Sequence, residues 1–131
     1  MMTPEAVLKY LASNEDRFIE ELFAYTRIPS ISAQSDHAGD MRSCAEWLVD
    51  RCAKAGLKAE ICKTTGYPVV IARTPKPDPK KPTFLVYGHY DVQPPEPLEL
   101  WTSPPFEPRR VGRNVYARGI SDNKGQHLAH I

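Results

Sequence analysis

Two short stretches of the sequence hold residue types that could bind a metal ion. His89 and Asp91 lie two positions apart, just after the apolar residues 84–87 and Gly88, and Asp122 follows a second short apolar segment. Because side chains at i and i+2 of an extended chain project to the same side, we expect His89 and Asp91 to face one surface. Neutral imidazole and carboxylate are ligands that zinc accepts in proteins. The pattern predicts a site in which His89 and Asp122 bind metal, with Asp122 placed to bridge two ions, while Asp91 orients the histidine.

The same residues also have interpretations without chemistry. A histidine at a strand end is often hydrogen-bonded to a nearby aspartate for local structure alone, so His89 and Asp91 by themselves are a weak signal. His127 and His130, spaced i, i+3, could serve as zinc ligands, although flanking positions on a helix face are the favoured interpretation. Two aromatic residues of a proline-rich loop are compatible equally with a substrate pocket and with anchoring of the loop: Trp101 and Phe106.

The composition is that of an ordinary globular protein with one modest domain. The chain has 131 residues, of which 41% are apolar and 25% charged, and its net charge is +1. A charge this small creates no basic field, so we expect neither nucleic acid nor an anionic membrane as a partner. The apolar runs are too short for a transmembrane helix, the first residues do not resemble a signal peptide, and the three cysteines lack CxxC spacing. These features favour a reduced, cytoplasmic protein.

Hydrophobic periodicity predicts helices and strands around the metal-binding residues. Thr3 is expected to cap a helix that begins at Pro4 and extends to about residue 27, with Asn14 as a point of interruption. Residues 84–87 are an apolar run of four, the pattern of a strand covered on both faces. Ten of the 13 prolines fall within residues 75–108 and indicate long irregular segments. The other predicted elements are a helix from Asp40 to Gly56, a hairpin of residues 57–62 and 69–72, a strand over residues 114–118, and a helix after Asn123.

A family resemblance becomes visible when the two halves of the predicted site are read together. The sequence YGHYDVQP at residues 87–94 and the sequence YARGISDNKG at residues 116–125 resemble the M20 family of metallopeptidases. Further matches are Trp101, the pair Pro105-Phe106, residues 28–32 (IPSIS) and the helix that ends at Gly56. The resemblance covers nearly the whole chain. Its proline-rich loop is most similar to the dipeptidase branch of the family, which includes carnosinase-like enzymes.

The resemblance implies an α/β fold, namely a three-layer, zinc-peptidase-like catalytic domain with a mixed sheet flanked by helices. It implies that His89 and Asp122 are metal ligands, that Asp122 bridges two Zn2+ ions, and that Asp91 acts in catalysis by orienting His89. Mn2+ and Co2+ are the alternative metals. The peptide bond after Asp122 is often cis in this family. Asn123 stands where many relatives have aspartate, a departure that we expect to spare the metal site because the preceding aspartate is the ligand.

The predicted last helix has barely begun at Ile131, and its apolar stripe of Leu128 and Ile131 is incomplete. We therefore expect residues 1–131 to be a truncated, N-terminal portion of the catalytic domain. The family's general-base glutamate, its remaining metal ligands and its dimerisation domain would then lie outside this chain. The resemblance implies that the intact enzyme, a homodimer, hydrolyses a peptide-type amide bond of a small peptide, and that these residues alone are inactive. The alternatives are a non-catalytic fragment or binding module that retains the fold, and an amino-acid deacylase of the same family.

Overall fold

A computed structural model describes residues 3–131 of the chain. Three helices come first and are followed by two antiparallel strand pairs and a short last helix. Short single helical turns precede α3 and interrupt the proline-rich loop, at Ser35–His37 and Leu98–Leu100. The elements in chain order are α1 (Pro4–Ser13), α2 (Glu15–Thr26), α3 (Ala38–Lys54), β1 (Lys58–Cys62), β2 (Val69–Arg73), β3 (Arg109–Val111), β4 (Asn114–Tyr116), an irregular helical turn (Ile120–Lys124) and α4 (Gly125–Leu128).

The predicted first helix is present and is divided into α1 and α2. Thr3 caps α1, since its side-chain oxygen accepts a hydrogen bond from the backbone N–H of Ala6 at 3.2 Å, and Pro4 occupies the first helical position. Asn14 separates the two helices, and its side-chain amide donates to the carbonyl of Tyr10 at 2.9 Å. A side chain that bonds to the backbone in this way competes with the helix. Both the cap and the interruption are confirmed.

The second predicted helix corresponds to α3, with a shifted start. It begins at Ala38, two residues before the predicted cap Asp40, whose carboxylate instead contacts Nδ1 of His37 at 2.6 Å. Its end agrees with the prediction, because Gly56 has a φ of +85°, the left-handed conformation that glycine adopts most readily. The hairpin is also confirmed: β1 and β2 pair antiparallel, with Glu60 opposite Ile71 at the centre of the ladder.

The core lies where α2 and α3 meet the hairpin. Tyr25, Cys44 and Leu48 are its buried centre, and the ring of Trp47 stacks on Tyr25 with centroids 4.6 Å apart. Burial raises the pKa of the Cys44 thiol, so this cysteine is a small core residue rather than a reactive one. Partly buried side chains from several elements complete the cluster: Ile28, Val70, Tyr90, Leu128 and Ile131.

Residues 84–87 do not form the predicted buried strand. The side chains of Phe84, Leu85 and Tyr87 are 88%, 85% and 85% exposed, and within residues 3–131 this segment pairs with no strand. The ladders of the described chain are the two pairs β1–β2 and β3–β4. A strand is stabilised by neighbouring strands and by layers that cover its faces. The apolar run indicates a segment suited to burial, but it carries no information about which residues lie against it.

The segment that follows α2 runs beside the residues of the predicted metal site. Ile31 and Val92 form a parallel bridge, and the backbone N–H of Val92 donates to the carbonyl of Ser30 at 2.9 Å. The hydroxyl of Ser30 donates to the carbonyl of Tyr90 at 2.6 Å. These bonds join the end of the first helical unit to the chain between His89 and Val92. None of the helices in the described part of the chain is both long and apolar enough to cross a membrane.

β3 and β4 pair antiparallel and carry the chain from the proline-rich loop to the second half of the site. The predicted strand at residues 114–118 is confirmed, although it ends at Tyr116. Gly119 then turns the chain with a φ of +79°, and a Cβ atom added there would lie 2.3 Å from Cγ1 of Val92. This close approach presses the turn that carries Asp122 against the segment that carries His89 and Val92.

Candidate metal centre

The structure brings the three predicted site residues together. Nε2 of His89 lies 3.0 Å from Oδ1 of Asp122, and Nδ1 of the same ring lies 3.1 Å from Oδ1 of Asp91. The imidazole therefore sits between two carboxylates that are separated by 31 positions in the sequence. Nδ1 is also 3.1 Å from the backbone carbonyl of Asp91, so it has two acceptors and carries the proton when the ring is neutral. Nε2, which faces Asp122, is then the nitrogen with a lone pair.

Asp91 is held in place from the other side. The hydroxyl of Ser32 donates to Oδ2 of Asp91 at 2.5 Å, which leaves Oδ1 for the histidine. Ser32 lies in the segment whose backbone pairs with Val92, so the serine and the aspartate are fixed by neighbouring backbone bonds. A carboxylate that orients a histidine and is itself hydrogen-bonded is the usual support of a metal-binding imidazole.

The carboxylates determine the protonation of His89. Burial lowers the pKa of His89, but the hydrogen bonds to Asp91 and Asp122 and the charges of these two residues raise it, and the net direction is upward. The side chains of His89 and Asp122 are 41% and 84% exposed, so solvent screens this pair. A cation arriving between Nε2 and Oδ1 would replace the proton that the pair otherwise shares.

Asp122 occupies an extended position inside the irregular helical turn. Its φ of −155° and ψ of 93° interrupt the helical conformation of the turn and direct its side chain toward His89. The peptide bond between Asp122 and Asn123 is cis, as the resemblance implied. The turn is packed closely, because a Cβ atom at Gly125 would lie 2.3 Å from the carbonyl oxygen of Ile120.

His127 is buried beneath the site and is not placed as a metal ligand. Its Nε2 lies 2.7 Å from the hydroxyl of Tyr25 and its Nδ1 lies 3.1 Å from Oδ1 of Asn123, so both ring nitrogens have partners. Burial is the main cause that lowers the pKa of His127 to about 4; a hydrogen bond with the backbone of Asn123 raises the pKa, and the charges of His89, Lys124 and His130 lower it. Of the two predicted interpretations of His127, the structure agrees with a residue on a packed helix face. His130 is exposed.

Lys124 is fully buried and links the site turn to the end of α2. Its Nζ donates to the backbone carbonyls of Tyr25 and Ile28 at 3.2 Å and 2.7 Å, and lies 4.9 Å from the centroid of the Tyr25 ring. These carbonyls end the second helix and the turn after it, where a cation is favourable. Burial lowers the pKa of Lys124. The ammonium of Lys124 therefore caps the C-terminal end of α2, the helix that precedes the site turn by a long stretch of chain.

The donor set provides two ligands for one metal position. Within residues 3–131 no group of three or more histidine, cysteine, aspartate or glutamate side chains converges as a complete metal site. Nε2 of His89 and Oδ1 of Asp122 are a nitrogen and an oxygen donor of the kinds that zinc binds, aimed at each other with the histidine already supported by Asp91. The residues present therefore fit a metal ion as part of its ligand shell.

Trp101, in the proline-rich loop, has a structural role. Nε1 of Trp101 donates to the carbonyl of Pro95 at 2.7 Å, and the guanidinium of Arg118 lies 5.2 Å from the ring centroid. Arg118 in turn donates to the carbonyl of Pro94 at 3.2 Å. These contacts support loop anchoring by Trp101, one of the two interpretations. Trp101 also lines a shallow cavity together with Leu98 and residues 102–105.

Comparisons with known proteins agree with this geometry. Residues 85–131, which contain every predicted site residue, match the family described as peptidase family M20/M25/M40. The chain belongs to this family. Its structure is similar to human carnosine dipeptidase 1, with a TM-score of 0.86 and 28% identity over 95% of this chain and 29% of that chain. The predicted fold class, that of an M20 catalytic domain, is confirmed by this likeness.

Curated relatives of the M20 chain include two kinds of hydrolase. A cysteinylglycine-S-conjugate dipeptidase from Corynebacterium striatum is 29% identical over 92% of this chain and 27% of its own length. A succinyl-diaminopimelate desuccinylase from Xylella fastidiosa is 35% identical over 70% of this chain and 24% of its own length. The chain thus spans less than a third of the length of the relatives it matches. Peptidases of this family are generally metal-dependent.

Three supporting residues of the site were not predicted from the sequence. Ser32 holds Asp91, Tyr25 contacts His127, and Asn123 contacts both His127 and the backbone of His89. The sequence contained a usable signal for Ser32, since it lies in residues 28–32, which are part of the family resemblance. Nothing in the spacing of Tyr25 or Asn123 indicated their contacts, because the partners lie in distant parts of the chain.

Proposed function

We propose that this chain carries part of the metal centre of a zinc-dependent hydrolase that cleaves a peptide-type amide bond. The observation that supports the proposal is the imidazole of His89 held between Asp91 and Asp122, with Nδ1 directed at Asp91 and Nε2 at Asp122. This arrangement presents one nitrogen and one oxygen donor at a single point. A pair that served local structure alone would not need the additional hydrogen bond from Ser32 that fixes Asp91.

In this proposal each residue has a defined task. His89 and Asp122 would hold the metal, and the second oxygen of Asp122 could bridge to a second ion. Asp91 keeps the proton of His89 on Nδ1, so that Nε2 is free to bind. When bound, zinc supplies Lewis acidity toward the amide carbonyl and toward water. We infer two Zn2+ ions in the complete site, with Mn2+ and Co2+ as alternatives.

For the whole protein we propose a cytoplasmic dipeptidase that acts on small peptides as a homodimer. The likeness to dipeptidases from human and Corynebacterium striatum supports the substrate class. Since the chain spans 29% and 27% of those proteins, we infer that residues 1–131 are the N-terminal portion of a catalytic domain and are inactive alone. Two donors are too few to hold two zinc ions tightly, because structural and catalytic zinc sites use three or four protein ligands.

An amino-acid deacylase is the second candidate. The relative from Xylella fastidiosa, which is a desuccinylase, is 35% identical to this chain and supports it. Both candidates hydrolyse an amide bond and would use the same metal-holding residues. They differ in the substrate, so hydrolysis of unblocked dipeptides and of N-acyl amino acids by the full-length gene product would separate them.

Zinc titration of the 131-residue chain, followed by calorimetry, tests the metal site. We expect weak binding of Zn2+ that falls by about tenfold or more in Asp122→Asn, because the variant loses a charged ligand. Asp36→Asn is the matched control, since Asp36 is exposed and distant in sequence from the site, and it should bind as the wild type does. Equal zinc binding by wild type and Asp122→Asn would contradict the proposal. So would a wild-type chain that folds and binds no zinc, the result expected of a non-catalytic binding module.

A further inference from the structure

The side chain of Asn123 joins the two halves of the metal centre. Its Oδ1 accepts a hydrogen bond from the backbone N–H of His89 at 3.1 Å and another from Nδ1 of His127, also at 3.1 Å. Asn123 directly follows Asp122 in the chain. One oxygen atom therefore connects the residue next to one metal ligand with the backbone of the other.

The chemistry of the donors fixes the direction of each bond. A backbone N–H can only donate, so the atom of Asn123 that faces His89 must be the carbonyl oxygen and not the amide nitrogen. The same oxygen faces Nδ1 of His127, which must then carry the ring hydrogen. Nε2 of His127 is left as an acceptor, and the hydroxyl of Tyr25 at 2.7 Å donates to it. The three side chains form a relay in one direction, from Tyr25 through His127 to Asn123.

Packing holds both ends of this relay. Tyr25 has no exposed surface, and its backbone carbonyl accepts a hydrogen bond from the buried ammonium of Lys124. His127 is 9% exposed and packs edge-on against the Tyr25 ring. At the other end there is no room beside Gly88, where a Cβ atom would lie 2.7 Å from Oδ1 of Asn123 and 2.6 Å from Cβ of His127. The amide of Asn123 therefore has little freedom to rotate away.

We propose that Asn123 is a positioning residue for the metal ligand His89, held in its working orientation by His127 and Tyr25. This inference rests on the proposed function, in which His89 and Asp122 bind metal. Asp91 sets the rotation of the imidazole, and Asn123 sets the place of the His89 backbone relative to Asp122. The two residues thus fix different degrees of freedom of the same ligand.

Nuclear magnetic resonance of the metal-free chain tests the relay without reference to metal. In the wild type, the ring nitrogens of His127 should report the Nδ1–H tautomer at neutral pH. The backbone amide of His89 should exchange with solvent roughly tenfold faster in Asn123→Ala, because it loses its acceptor. Asn123→Asp retains an oxygen at the same place and should restore the protection. Asn114→Ala, in the exposed strand β4, is the matched control and should leave the His89 amide unchanged.

Zinc titration of the same variants tests the positioning role. Loss of an outer contact to a metal ligand weakens metal binding by about 10- to 100-fold in known sites, and we expect this of Asn123→Ala. Asn123→Asp should bind zinc to within about threefold of the wild type, because it retains the oxygen that accepts from the His89 backbone. Tyr25→Phe removes the first donor of the relay and should weaken zinc binding in the same direction by a smaller factor.

Three results would overturn the inference. The first is an Nε2–H tautomer at His127 in the wild type, and the second is unchanged exchange of the His89 amide in a folded Asn123→Ala chain. The third is a folded Asn123→Ala chain that binds zinc as tightly as the wild type. A wild-type chain that shows the expected tautomer and the protected amide but binds no zinc would refute the proposed function instead. The positioning role would fall with it, and the relay would stand as a structural contact only.

Discussion

Acidification is expected to destabilise the folded chain through His127. The side chain is 9% exposed, and burial lowers its pKa from 6.5 to about 4. The groups that act on it are the hydroxyl of Tyr25, the amide of Asn123 and the positive charges of Lys124, His89 and His130. None of these offers a negative charge that would compensate a proton on the buried ring.

The sign and the size of the effect follow from these pKa values. Above pH 6.5 the ring is neutral in both states, and it contributes no pH dependence. As the pH falls from 6.5 to 4, the unfolded chain binds a proton that the folded chain does not, so the free energy of unfolding decreases by up to about 1.4 kcal/mol per pH unit. The folded pKa of about 4 then limits the loss to about 3 kcal/mol near pH 4.

Urea unfolding between pH 7 and pH 4 measures this loss. Carboxylates also destabilise acidified proteins, so the informative quantity is the difference between the wild type and His127→Asn, whose side chain does not titrate. The variant is expected to be less stable at pH 7, because it loses its buried contacts, and to lose about 3 kcal/mol less than the wild type on acidification. His130→Asn, at an exposed histidine, should retain the wild-type pH dependence. Parallel curves for wild type and His127→Asn would refute the reasoning.

Two further substitutions test the packing around the site. Lys124→Met should lower the free energy of unfolding by about 2–4 kcal/mol, because two buried carbonyls lose a charged donor while the cost of burying the ammonium is relieved. Lys54→Met, at an exposed lysine paired with Asp50, should change it by no more than about 0.5 kcal/mol; similar losses in both variants would contradict the role of Lys124. Gly88→Ala should cost about 1–3 kcal/mol through overpacking against Asn123 and His127. Gly39→Ala, at a helical position with open space, should stabilise the chain by up to about 1 kcal/mol, and an equal cost at both glycines would refute the close contact.

Features that depend on neighbouring residues could be predicted from the sequence. The cap at Thr3, the interruption at Asn14 and the left-handed end at Gly56 each involve a few adjacent residues, and the structure confirms all three. The hairpin is of the same kind, because its two strands lie close together in the chain. Local hydrogen bonds and backbone preferences decide these features, and both can be read from residue types.

Features that depend on distant partners could not be predicted in this way. The ammonium of Lys124 bonds to carbonyls 99 and 96 positions earlier in the chain, and nothing in the neighbouring residues indicates these partners. Residues 84–87 were expected to be buried, yet they are exposed in the described chain. In each case the residue type indicated what environment the side chain is suited to. Which residues provide that environment depends on the tertiary fold.

Asn123 bears on the predicted site in two ways, as the neighbour of Asp122 and through its own side chain. The family resemblance led to the expectation that asparagine at this position spares the predicted metal site, and in the structure Asp122 lies beside His89. The structure gives Asn123 a second role, in which a single oxygen accepts from His89 and His127. Asparagine and aspartate both provide that oxygen, but only asparagine does so without placing a charge beside a buried, neutral histidine. The Tyr25 hydroxyl donates to Nε2 of His127, so Nδ1 of the same ring donates to position 123. An uncharged acceptor at that position satisfies both hydrogen bonds without an ionised group in the relay.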